Sequence, residues 1–169
     1  MGTTRTGGNA LSKGLAALGL ALTLAVPAQA DEAALQVTLA DGQQVRLSGE
    51  ALAALPRQRL EATAHGVTQI FEGPDLRAVL TLAGIDATEG LRGRAVATVV
   101  IAEAGDGYRA AFALAELDPT IGGRIVLVAD RADGEALPEA MRPWRLVVPG
   151  EGRPTRWVWN LERLRVVTP

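Results

Sequence analysis

Short runs of alternating apolar and polar residues, cut at close intervals by Gly, Pro and Asp, recur along the chain and favour a β-rich fold. Leu35-Gln-Val-Thr-Leu39, then Ala-Asp-Gly, then Gln43-Gln-Val-Arg-Leu47 reads as a β-hairpin. Ser48 precedes Gly49-Glu50-Ala51-Leu52 as a helix N-cap would, and a short helix over Gly49–Leu55 should stop at Pro56. Arg57–Ala64 alternates again as a strand leading into His65-Gly66, and Gln69–Phe71 is a further short strand. Pro74 opens the clearest helix, running to Ala83, since Leu76, Val79, Leu80 and Ala83 share one face and Gly84 follows as a stop. Arg94–Glu103 is expected to be a strand covered on both faces, and Arg124–Asp130 a second central strand. Between them Gly105-Asp106-Gly107 turns the chain, Tyr108–Phe112 pairs back and Leu114–Leu117 is a short turn or helix. After the Asp133-Gly134 turn come the strands Arg145–Val148 and Leu164–Val167, separated by a Pro149–Thr155 loop and by Arg156-Trp157-Val158-Trp159. The expected class is α+β, mostly a mixed β-sheet with short helices.

Residues 1–30 have the three parts of a cleavable secretory signal. Arg5 and Lys13 form a positive start, Leu15–Val26 an apolar stretch, and Ala28-Gln29-Ala30 a small-x-small cleavage site. The apolar stretch is shorter than the roughly 20 residues needed to span a bilayer. The expectation is an exported, periplasmic or secreted protein whose single domain is residues 31–169, with no membrane span after cleavage. That domain would carry 15 basic against 19 acidic residues, a formal charge of −4, which argues against nucleic acid as a partner.

Missing residue types restrict the chemistry. The chain has no Cys and one His, and its single Lys, Lys13, lies in the leader. There is therefore no disulfide, no thiolate nucleophile, no Cys-ligated metal, no Schiff-base lysine after cleavage, and too few imidazoles for a typical catalytic zinc site. Ser48 is the only serine past the leader and is accounted for as a cap, so a serine hydrolase is disfavoured.

The tail is specific enough to suggest a family. Asp133-Gly134-Glu135-Ala136-Leu137-Pro138, then Arg145-Leu-Val-Val-Pro149-Gly150, then Arg156-Trp157, resembles the molybdopterin-binding domain of the sulfite-oxidase type, with its turn, Arg-bearing strand, Pro-Gly loop and basic-Trp pair. Phe71-Glu72-Gly73-Pro74 with its following helix, and Asp106-Gly107-Tyr108, resemble that family's aromatic-x-Gly-x-Pro and Gly-Tyr segments. The resemblance implies a sulfite-oxidase-type molybdopterin-binding fold and a molybdopterin cofactor. It also implies a Cys thiolate on the metal just after the strand that here ends at Ala64-His65-Gly66, and this chain has no such residue. Arg156 stands where many members have Lys, and still offers a planar donor fork for phosphate.

The candidate ligand-binding residues are His65, Tyr108, Arg145, Arg153, Arg156 and Trp157. None is assigned as catalytic and none as a metal site in the family's manner. His65 reads either as a polar contact or axial ligand to a bound group, or as a turn histidine bonded to local backbone. The three arginines flank one Pro-Gly loop and could meet a phosphate or carboxylate, with Trp157 or Trp159 as an aromatic wall. In a regular strand Arg156 and Trp157 would point opposite ways. Three functions remain: a binding module for a pterin, another small anion or a protein; a molybdopterin-dependent oxidoreductase with non-Cys ligation; or a structural or interaction domain with a vestigial cleft.

Overall fold

The computed structural model describes residues 1–2, 33–87 and 89–169. Asp31–Pro169 forms one compact unit, and the signal-peptide reading falls on residues outside those described. The first hairpin forms as its alternation requires: β1 (Ala34–Thr38) and β2 (Gln44–Ser48) pair antiparallel, with Leu35, Val37 and Leu47 buried. Ser48 caps α1 (Gly49–Ala53), its hydroxyl accepting from the Ala51 amide at 3.1 Å. Next, β3 (Arg57–Ala64) and β4 (Val67–Pro74) pair along their whole length. They are joined by His65 and Gly66 alone, at φ 52° and 79°. Positive φ at both central residues makes a tight two-residue hairpin turn whose twist suits the strands.

The helix expected from Pro74 begins later. Pro74 ends β4 and Asp75 caps α2 (Leu76–Leu82), accepting from the Arg77 amide at 2.9 Å. The buried Leu76, Val79 and Leu80 form the expected apolar face. The Arg94–Glu103 strand is also corrected: Gly93–Ala97 is a 3-10 helix, and β5 (Val99–Ala104) alternates between partly and fully buried residues rather than being covered evenly on both faces. Then follow β6 (Arg109–Ala113), α3 (Leu114–Leu117), β7 (Leu127–Ala129), β8 (Arg131–Ala132), β9 (Glu135–Ala136), β10 (Arg145–Val147) and β11 (Leu161–Val167).

The strands form three sheets. One has five strands in the order β2-β1-β11-β5-β6, with β1 parallel to β11 and the other pairs antiparallel; another has four, β3-β4-β8-β9; the third has two, β10-β7, and Leu127 of β7 also bridges Asp75. The stretch read as a long central strand, Arg124–Asp130, is thus a three-residue strand buried at every position. It lies tight against β4: a Cβ on Gly73 would overlap the Val128 carbonyl oxygen and sit 2.8 Å from Ala129 Cα. Only glycine fits there. One hydrophobic core joins residues of all three sheets with α2. The class is α+β, as the pattern predicts.

Candidate functional site

The shared core brings β10 and β4 close to the segment after the Pro-Gly loop, and Arg145 is buried where they meet. It opens β10 and is 5% exposed, and its guanidinium carbon lies 5.3 Å from the Phe71 ring centre, 4.9 Å from Trp157 and 5.3 Å from Trp159. Phe71 meets Trp157 edge to face at 5.5 Å, and the Trp157 indole is fixed by donating to the Val148 carbonyl at 3.0 Å. Burial lowers the Arg145 pKa to about 10, so the side chain is still charged at neutral pH. Its Nη1 reaches the Met141 sulfur at 3.4 Å, Nε has no hydrogen-bond partner, and among the described residues no carboxylate pairs with it. A buried charge without a counter-charge is costly, and ring contacts of about 0.5–2 kcal/mol each offset part of that cost.

Arg145 faces a cavity of about 200 Å³ that is also lined by His65, Asp106, Tyr108, Trp157 and Trp159. Asp106 accepts from the Tyr108 amide at 2.9 Å, and the Tyr108 hydroxyl donates to the Thr155 carbonyl. A wider groove of about 670 Å³ adjoins it between the β3–β4 turn and the Pro-Gly loop, lined by Thr63, His65, Gly66 and residues 151–155. His65, Pro154 and Thr155 line both. The turn and the loop are therefore neighbours.

Of the six candidate residues, His65, Tyr108, Arg145 and Trp157 line the smaller chamber and Arg153 the groove. Arg156 lines neither. Pro154–Arg156 is a 3-10 turn rather than a strand, and Arg156 is engaged elsewhere. Its guanidinium bonds Glu116 at 3.0 Å and Glu151 at 2.5 Å and lies over Phe112, while Arg124 approaches the same two carboxylates at 3.2 and 3.7 Å. Burial works against the Arg156 charge, but the hydrogen bonds to Glu116 and Glu151 outweigh it and hold the pKa above the ordinary value. This guanidinium is committed to holding the loop. Sequence reasoning named Asp106 and Phe71 as turn and strand residues and within family-like segments, and not as site residues; alternation along β4 could have pointed Phe71 inward, and no local signal could have placed Asp106 on the same chamber as Arg145.

No family model matches the chain and no curated protein matches it. Among solved structures, the fold is similar to the sulfane dehydrogenase SoxCD from Paracoccus pantotrophus, with a TM-score of 0.62 and 20% identity over 80% of this chain. The chain spans 38% of that neighbour's length. At this identity the likeness establishes the fold alone.

Molybdopterin is the group the sequence resemblance implies, and the chamber can be tested against it. A buried guanidinium among aromatic rings suits a planar organic anion, and Arg145 with Trp157 would hold one. The metal is a different matter, because the chain has no thiolate and, among the described residues, no cluster of three or more candidate ligands. The donor set fits an organic anion and does not fit the protein-ligated metal.

Proposed function

We propose that this protein is an exported binding module for a small anionic ligand, a pterin or another planar anion, built on a sulfite-oxidase-type fold and working without molybdenum redox catalysis. The observation that carries this reading is Arg145, a buried cation with no carboxylate partner among the described residues, an unpartnered Nε and a cavity in front of it. A purely structural arginine at that depth would be expected to pair with a carboxylate, as even the less buried Arg156 does. Export rests on the leader motif. Among the described residues no helix is long and apolar enough to cross a membrane.

A second reading, a molybdopterin-dependent oxidoreductase with non-Cys ligation, draws on the tail motifs. One experiment separates the two. The protein is produced in a secretion-competent host that makes the pterin cofactor, then assayed for metal content, for pterin fluorescence after oxidation and for intact mass. The expected outcome is a mature chain starting at Asp31 with little or no molybdenum. Stoichiometric molybdenum would overturn the binding-module reading, and a mass retaining the leader would overturn export.

A further inference from the structure

We infer that the Arg145 chamber selects an aromatic monocarboxylate, with the carboxylate on the edge of the guanidinium and the ring against Trp159 and Tyr108. This rests on the anion-binding reading above and narrows it. The first argument is charge. Besides His65, the ionised side chains lining the chamber are Arg145 and Asp106, one cation and one anion. A single negative charge can lie on Arg145, whereas a second would face the Asp106 carboxylate, which is exposed, so that water screens part of the repulsion. Phosphate and sulfate are disfavoured on that ground.

The second argument is geometry. Phe71, Trp157 and Trp159 crowd the guanidinium and its Nε is buried, so the Nη1–Nη2 edge is the one Arg145 can offer to a ligand in the chamber it lines. A carboxylate matches that edge with two parallel hydrogen bonds. A tetrahedral oxyanion needs donors on several sides, and two nearby ones are already engaged: the Tyr108 hydroxyl by Thr155 and the Trp157 indole by Val148. The third argument is the wall. Trp159 is 46% exposed and Tyr108 48%, large rings left open at the mouth of a chamber whose buried side is already aromatic. Open aromatic faces beside a cation favour a ligand that brings its own ring. At about 200 Å³ the chamber is below the roughly 300–1,000 Å³ of drug-sized pockets, which suits a single ring with one substituent.

The test is calorimetric titration of the secreted protein with benzoate, benzamide, sulfate and phosphate, each at matched ionic strength. Benzoate is expected to bind about tenfold or more tighter than the other three, a difference of about 1.4 kcal/mol. Arg145→Lys keeps the charge but loses the planar fork and should weaken benzoate about fivefold or more. Trp159→Ala should weaken it severalfold, and Asp106→Asn should raise phosphate affinity while leaving benzoate nearly unchanged. Circular dichroism checks that each variant folds; Arg145→Lys retains the cation, and if it fails to fold, Trp159→Ala and Asp106→Asn still test the inference. If sulfate or phosphate binds as tightly as benzoate through Arg145, the selectivity is wrong and the anion reading stands. If benzamide matches benzoate, or benzoate ignores Arg145→Lys, the carboxylate contact is wrong. If no anion binds, both readings fall.

Discussion

Gly73 and Asp118 show how single residues set this fold's tolerances. A side chain at Gly73 would meet backbone of β7, which cannot swing aside as a flexible side chain could. Gly73→Ala is therefore expected to cost about 3 kcal/mol or more, read as a lowered urea midpoint with an unchanged slope. Asp118 is buried and accepts from the Leu91 amide at 2.8 Å and from the Thr120 amide and hydroxyl at 2.7 Å. These bonds, the Leu91 amide foremost, hold its carboxyl below the usual carboxylate range. A depressed folded-state value stabilises the protein above the unfolded value of about 3.9, and that contribution is lost as pH falls below it. Asp118→Asn should lower the melting temperature at pH 7, with a gap to wild type that narrows toward pH 2; a gap independent of pH would reject the carboxylate's role. Residue types alone announced some of this. Ser48 was legible as a cap because capping is local, whereas His65 was left open between a ligand contact and a turn histidine, and it holds a turn position at φ 52°. The partners of Arg145 were not, since Phe71 is 74 positions away and the contact exists only after the sheets that carry β10 and β4 have packed.

At the scale of elements, the Pro-Gly loop is held by a hydrogen bond and by an ion-pair cluster whose Arg156 also donates to the Ala111 carbonyl of β6 at 3.2 Å. The Tyr108–Thr155 hydrogen bond ties it to the β5–β6 turn, and the Glu151, Arg156, Glu116 and Arg124 cluster ties it to α3 and the segment before β7. Pro154 and Thr155 line both cavities, so the loop held by these anchors forms a wall of each. In a double-mutant cycle, Arg156→Ala and Glu116→Gln should couple by about 1 kcal/mol, less at high salt. Amide exchange at residues 150–155 should quicken in Arg156→Ala; unchanged exchange would show that the cluster does not restrain the loop. Hairpins and short helices were readable because their signals lie within a few residues, as β1–β2, α1 and β6 show. The elements that differed did so for tertiary reasons. β7 is short because it has one ladder partner, β10, and its other side lies against Gly73; Pro74 could end a strand because the cap fell to Asp75.

For the whole molecule, the α+β class was legible because strand patterns outnumber helical ones, and the fold likeness to a sulfane dehydrogenase agrees with it. The division into three sheets was not, since alternation reports which side of a strand is buried and not which strands are neighbours. The same limit applies to the cleft: six polar and aromatic candidates could be named, but only packing decided that four share a chamber and that Arg156 is a strut. The central claim is that Arg145 is a buried cation kept for an anion. It is tested most directly by nuclear magnetic resonance of the arginine Nε–H groups in the uniformly labelled protein. The Arg145 resonance, assigned by its loss in Arg145→Lys, should be protected from exchange at pH 7 and should shift saturably as benzoate is added, while the exposed Arg153 resonance stays in place. A fast-exchanging Arg145 signal, or a protected one that no anion moves, would contradict the account.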